Sequence, residues 1–389
     1  MKLLRLFSIL FGFLFSQLNA QDVALYSQHY GTIDFTFAGN TLNKMFNNLN
    51  TPCEINTSSS ATLNLNEEDE LLHAYLYWAG SGTGDFDVKL NETEITAERS
   101  FDFYLNTVNL EFFSAFADVT SLVKQQGNGI YTFSDFDLNS VIPAYCPTGT
   151  NFGGWALLLI YKNSNLPLNQ INVYDGLQGV PNALSISLNN LNVVETDGAK
   201  VGFIAWEGDV AIAVSETLTF NNNVVSNPPL NPENNAFNGT NSITGGTDLY
   251  NMDLDIYSIE ELVNIGDTLA EISLTSGQDF VMINTVVTKL NTKPEPPVIF
   301  NAISDNGDGK NDVFIITGLR DVFKDFELKI FNRYGHLVWE GNNNTPDWDG
   351  SSINGIGKDK VPPGTYFYTL KLNSIHYPEP YAGYVYYTD

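Results

Sequence analysis

The chain is 389 residues long and sets 45 acidic side chains against 18 basic ones, a formal net charge of −27. Such a surface repels phosphate backbones, which argues against nucleic acid as a partner. Two cysteines and four scattered histidines leave little material for thiol or imidazole chemistry.

Residues 1–20 read MKLLRLFSILFGFLFSQLNA, with basic Lys2 and Arg5, an apolar core from Leu6 to Phe15 and a small Ala20. This is the pattern of a secretory signal peptide, too short and wrongly flanked for a membrane span. It predicts an exported chain starting at Gln21, in which 16 bases face 45 acids, a net charge of −29. No later run is apolar enough to span a bilayer. The surplus carboxylates keep such a chain soluble, or bind calcium. Export also favours a disulfide between Cys53 and Cys146, with two free buried thiols as the alternative.

From residue 21 onward almost every segment reads as strand. "HAYLYWAGSG" alternates Tyr75 and Tyr77 with Leu76 and Trp78 and stops at glycines. "GWALLLIYKN" is a continuous apolar run of strand length, suited to burial on both faces. "INVYDG", "KVGFIAWEGD", "ETLTFNNN", "LAEISLT" and "FVMINTVVTKL" follow, separated by Asn, Gly, Asp and Pro. Short strands with such turn signals predict a β-sandwich or jelly roll over residues 21–290, as one large sandwich or two lobes meeting near "NSNLPLNQ". "DVTSLVKQQGNG" predicts a helix with Asp118 as N-cap and Gly127 as its end. Ser258 to Val263 predicts a second short helix. "NTKPEPPVIFN" carries three prolines in four positions, which marks residues 291–297 as a linker. Beyond it the aromatic strands "DVFIITGL", "FELKIFNRYGHLVWEG", "GTYFYTLKLNS" and "YAGYVYYTD" predict a small Ig-like sandwich. Phe326, Leu328 and Ile330 share one face there, and Gly335 permits the positive φ of a tight turn.

Motifs in this last part carry a resemblance. "NGDGKNDVF…LKIFNRYGHLVWEG…DWDG…VPPGTYFYTL…GYVYY" closely resembles the gliding-motility-associated C-terminal domain, the type B sorting signal of type IX secretion, across residues 298–389. The matching positions are Asn306, Gly307, Asp308, Gly309, Asn311 and Asp312; Asn332, Arg333 and Gly335; Trp348, Asp349 and Gly350; Gly364 and Tyr366. The pattern departs in having Ser304-Asp305 where the family has Thr-Pro, and Thr388-Asp389 where a basic residue is common. The resemblance implies an Ig-like fold, passage through the outer membrane, and display on or release from the cell surface. Its implied partners are the type IX translocon and an outer-membrane shuttle or anchor protein. In the N-terminal part, "AYLYWAGSG", "FADVTSLVKQQGNGIYTF", "GGWALLLIYKNSNLPLNQINVYDGLQ", "AWEGD" and "NPENNAFNGT" resemble a β-rich module of large bacterial surface proteins and adhesins, which implies a surface location; a larger surface adhesin is the further partner expected of an accessory component.

The loop "SDNGDGKND" also has the composition of a calcium loop, with Asp305, Asp308 and Asp312 as candidate ligands. The EF-hand spacing fails, since Gly307 and Gly309 fall where ligands belong. Glu207 and Asp209 in "AWEGD" offer a glycosidase-like carboxylate pair, but two residues apart on a strand they point one way, so a strand-end turn is the stronger reading. Tryptophans could stack on sugars, although most belong in a sandwich core, Trp155 above all. HExxH, GxSxG and phosphate-cradling motifs are missing. The sequence therefore predicts a non-enzymatic all-β surface protein, an adhesin or an accessory of a surface adhesin or gliding filament. A carbohydrate-binding protein is the alternative, a hydrolase the third reading.

Overall fold

The computed structural model describes residues 22–388 other than 48–50, 181, 294–295, 321, 324, 354–359 and 375. The signal-peptide segment lies outside them, as do Pro294 and Glu295 of the linker. The chain divides into two compact units, Met1–Thr292 and Lys293–Asp389.

The first unit is a stack of four antiparallel sheets. Sheet A orders its strands Ala24–Gly31, Asn169–Gly179, Met282–Asn291, Glu195–Trp206 and Met252–Ser258. Sheet B runs Ile33–Thr41, Gly153–Lys162, Glu70–Ser81, Leu110–Asp118 and Arg99–Leu105. Two smaller sheets cap them. Sheet C is Asn182–Asn189, Leu269–Ser276, Thr217–Phe220 and Asn223–Val224; sheet D is Ser59–Leu63, Gly129–Ser134, Asp87–Leu90 and Thr93–Thr96.

Side-chain alternation decides the layering. On Glu195–Trp206, Val201, Phe203 and Ala205 pack with Ile186, Leu218 and Ile272 of sheet C. The intervening Ile204 and Trp206 pack with Phe35, Tyr77 and Leu158 of sheet B. On Gly153–Lys162, Ala156, Leu158 and Ile160 join that same middle core, while Trp155, Leu157 and Leu159 meet Leu63, Val88 and Phe133 of sheet D. The order is therefore C, A, B, D, with sheets A and B covered on both faces. Each Leu- or Phe-sized side chain removed from water contributes about 1.5–3 kcal/mol, which favours continuous apolar strands in the two central sheets. The segment "NSNLPLNQ" is only the link between a sheet B strand and a sheet A strand, so the two-lobe alternative does not hold.

Charged residues pin sheets A and B together. Asp34 of sheet B accepts from Lys200 at 2.6 Å and Lys289 at 3.1 Å, both on sheet A. At the other side Arg99 of sheet B makes a bidentate pair with Asp175 of sheet A, at 2.7 and 2.9 Å.

The helix forms over Thr120–Gln126, and its N-cap is Val119 rather than Asp118. The Asp118 carboxylate still accepts from the Thr120 N–H at 2.9 Å, so it stabilises the start from one position further back. Gly127 ends the helix at φ +69°, donating its N–H to Val123 O. Ser258 to Val263 is not helical: Ser258 closes a strand and the rest is a turn that buries Ile259 and Val263. Asn291, placed at the start of the linker, is the last residue of a fully buried strand.

The second unit has a five-stranded sheet ordered Ala302–Ser304, Tyr381–Thr388, Gly364–Lys371, Glu327–Phe331 and Leu337–Gly341, with a two-stranded sheet of Val298–Ile299 and Ile316–Thr317. The Ala302–Ser304 pairing with Tyr381–Thr388 is parallel, the others antiparallel. Ile316, Phe326, Leu328, Ile330, Trp348, Tyr366, Leu370 and Val385 share its core.

Candidate functional site

The sorting-type motifs fold into turns and core, each for a local reason. In "NGDGKND" the Asp312 carboxylate accepts from Gly307 N–H at 3.0 Å and Gly309 N–H at 2.8 Å. Asn306 caps Asp308 N–H and Asp308 caps Lys310 N–H. Gly307, Gly309 and Asn311 take φ of +75°, +79° and +56°, the left-handed region that favours Gly and Asn. In "NRYGH" Asn332 Oδ1 accepts from Tyr334 and His336, and Gly335 sits at φ +78°. Arg333 lies outside, over the Tyr334 ring at 4.9 Å. Trp348 is fully buried, edge-on to Tyr366 at 5.5 Å, and donates its indole N–H to Ser351 O. Asp349 caps Ser351 N–H, Gly350 leaves room for the Tyr387 ring, and Tyr366, two residues beyond Gly364, donates to Pro362 O.

Asp312 and Asp308 are turned onto backbone N–H groups, and Asp305 pairs with Lys360. Among the described residues no group of three or more His, Cys, Asp or Glu side chains is arranged to hold a metal ion. The disulfide, in contrast, is formed: Cys53 and Cys146 are joined with their Cα atoms 5.8 Å apart, closing a separation of 93 residues.

In the first unit, Glu207 and Asp209 do form a strand-end turn after Trp206, with Glu207 at φ +74°. A buried amide network holds them. Asn47 donates to Glu207 Oε2 at 2.7 Å, and Asn251 reaches both Glu207 Oε2 at 3.4 Å and Asp209 Oδ1 at 3.3 Å. Glu207 is buried, and that burial, reinforced by Asp209, pushes its carboxyl well above the usual range. All five tryptophans are buried, so none is a platform for stacking on a sugar.

The structure also gathers acids that no motif announced. Glu216, Asp253, Asp255 and Asp279 are buried near that turn, and burial raises all four carboxyls above their ordinary range. Asp279 adds to the field at Glu216, Asp209 to that at Asp279, and Asp253 to that at Asp255. A signal existed in "MDLDIY": Asp253 and Asp255 occupy alternate positions of a sheet A strand, opposite Ala205 and Phe203. Acids at apolar register positions announce burial.

No curated protein matches the chain. Among solved structures, a BuGH86 variant crystallised in complex with neoagarooctaose matches at 12% identity and TM-score 0.20, covering 66% of this chain. The chain spans about a third (32%) of that structure's length. The adhesin domain of Epf from Streptococcus pyogenes matches at 10% identity and TM-score 0.15, over 57% of this chain and 73% of that one. At these scores neither likeness carries an argument. Residues 298–387 match the CHU_C Type IX secretion signal domain. The matched stretch spans nearly all of the second unit, from its first strand through the last, which includes every turn and core residue described above. The C-terminal region of this chain is thus a type IX secretion signal domain, and the protein is one exported by that route to the cell surface or the extracellular space.

Proposed function

We propose that the protein is a non-enzymatic surface component: an adhesin, or an accessory part of a surface adhesin or gliding filament. The observation that carries this reading is the division of the chain into a secretion-signal unit and a separate unit of four stacked sheets. The signal unit supplies the route, which leaves the β stack as the cargo that acts outside. Two inter-sheet ion clusters and a disulfide make the stack a stiff body, suited to presenting loops to a partner. Glu207 and Asp209, bound to one buried amide, serve the turn they sit in. On the signal unit, the solvent side of the sheet exposes Phe367, Tyr384 and Tyr386, at 47, 52 and 48%. Phe367 and Tyr384 are direct cross-strand partners, which gives the translocon or an outer-membrane shuttle an aromatic face to read.

Affinity purification of the protein from outer membranes, with mass spectrometry of what accompanies it, tests the proposal. A larger surface protein should co-purify, and cells lacking the chain should attach or glide poorly. Glycan binding on an array with no protein partner would move the assignment to carbohydrate recognition. Hydrolysis of a polymer by the purified chain would overturn it.

A further inference from the structure

The acids beside the Trp206 turn have an arrangement that the secretion route does not explain. The segment Phe237 to Thr240 directs its backbone N–H groups at two carboxylates. Phe237 donates to Glu216 Oε1 at 2.6 Å, while Asn238, Gly239 and Thr240 all donate to Asp253 Oδ1 at 2.9–3.0 Å. Each carboxylate therefore has one crowded oxygen and one bare one. Asp253 Oδ2 and Glu216 Oε2 are buried without a hydrogen-bond partner, and so are the side-chain oxygens of Asn235 and Asn238 on the same segment. The four residues are 0–6% exposed. The elements are close neighbours: Glu216 bridges to Asn235, and Asp253 contributes to the field at Glu216.

Gly208 marks the same place. A Cβ there would lie 2.5 Å from Phe237 O and 2.7 Å from Asp253 Oδ2, so only glycine leaves that space open to the two oxygens. Among the described residues no basic side chain balances this charge. The ion pairs of the described residues include neither Glu216 nor Asp253, nor their neighbours Asp255 and Asp279. An uncompensated buried carboxylate is costly, and it is neutralised by a proton or by a cation.

We propose that this crossing of the Glu216, 235–240 and Asp253 segments is a structural calcium site. Asp253 Oδ2 and Glu216 Oε2 are its charged ligands, and the amide oxygens of Asn235 and Asn238 its neutral ones. Two carboxylates with amide oxygens, one carboxylate from a strand and the rest from the irregular segments beside it, is a hard, all-oxygen donor set, which suits calcium better than magnesium or zinc. It is not a ready-made group of three acids, in keeping with the absence of one among the described residues. An exported chain meets calcium at concentrations that a site with Kd of about 10⁻⁴–10⁻³ M can use.

The test uses the full exported chain, stripped with EGTA and titrated with calcium chloride at pH 7.5. About one calcium per chain should bind, Tm should rise by several degrees, and Glu216→Gln should abolish both while Asp312→Asn leaves them unchanged. Hydrogen exchange on the wild type locates the ion without any variant, should Glu216→Gln fail to fold. Calcium should slow exchange of the amides of residues 237–240. No bound calcium and no Tm shift would mean that the acids hold protons instead, and would overturn the proposal. Protection confined to residues 304–312, or binding lost only in Asp312→Asn, would also overturn it by moving the site to the signal domain.

Discussion

Replacing Asp34 by alanine perturbs the joint between the two central sheets with little change of shape. Its carboxylate holds Lys200 at 2.6 Å and Lys289 at 3.1 Å, with side chains only 20 and 9% exposed. Lys200 also donates to Phe35 O at 3.1 Å and lies 4.5 Å over the Phe35 ring, so it cannot simply swing into water. Burial already pushes the Lys200 ammonium below its ordinary pKa despite the attraction of Asp34. Removing the carboxylate leaves two ammonium groups between packed sheets, and breaking a buried pair in this way costs about 3–5 kcal/mol. Replacing all three residues together, Asp34→Leu with Lys200→Met and Lys289→Met, removes the unpaired charges and should cost far less than the single change. Urea unfolding followed by the fluorescence of buried Trp78, Trp155 and Trp206 reads both outcomes as midpoint shifts at constant slope. A loss below about 1 kcal/mol for Asp34→Ala would refute the reasoning, because that is the range of a solvent-screened surface pair.

Two further outcomes follow from the same unit. Cys53→Ser with Cys146→Ser removes a closure of 93 residues, worth about 4–5 kcal/mol in the chain-entropy model. Equal unfolding midpoints with and without reductant would contradict it. His29 is half-buried, 4.4 Å from the His73 ring, 3.1 Å from Ser27 Oγ and 3.4 Å from the Tyr75 hydroxyl, and burial followed by His73 lowers its pKa to about 4. A folded-state pKa below the unfolded value near 6.5 makes its contribution complete above that pH and lost as pH falls toward 4. His29→Gln should flatten that part of the stability profile, and an unchanged slope would remove the histidine from the account.

The strands were legible because burial writes itself into period and composition. "GWALLLIYK" shows no alternation since it is the second strand of a sheet covered on both faces, between the middle core and that of sheet D. The turn around Gly335 was readable because only glycine or asparagine enters that region cheaply. What stayed hidden is long-range. Ala24–Gly31 pairs with Asn169–Gly179 across more than a hundred residues, and nothing local records such a choice or the count of four layers. The acid cluster was hidden for the same reason. "ETLTFNNN" reads as a strand by itself, and only the fold brings its Glu216 together with Asp253 and Asp279. The Asp305 loop shows how local composition is used: Asp308 and Asp312 hold N–H groups of their own turn, and Asp305 meets Lys360 from a distant segment.

The central claim is that the C-terminal unit carries the chain out of the cell while the β stack folds without it. Ending the chain after Thr292, where the compact unit ends, should leave the disulfide-linked N-terminal protein folded but retained in the periplasm. Residues 293–389 placed behind a signal peptide and a fluorescent reporter should carry the reporter to the surface. Trp348→Ala in that fusion should block export, since it empties a core site between Tyr366 and Tyr387 at a cost of about 3–5 kcal/mol. Protease accessibility on intact cells reads all three. A truncated chain that still reaches the surface, or a reporter that stays inside with the native unit attached, would contradict the account.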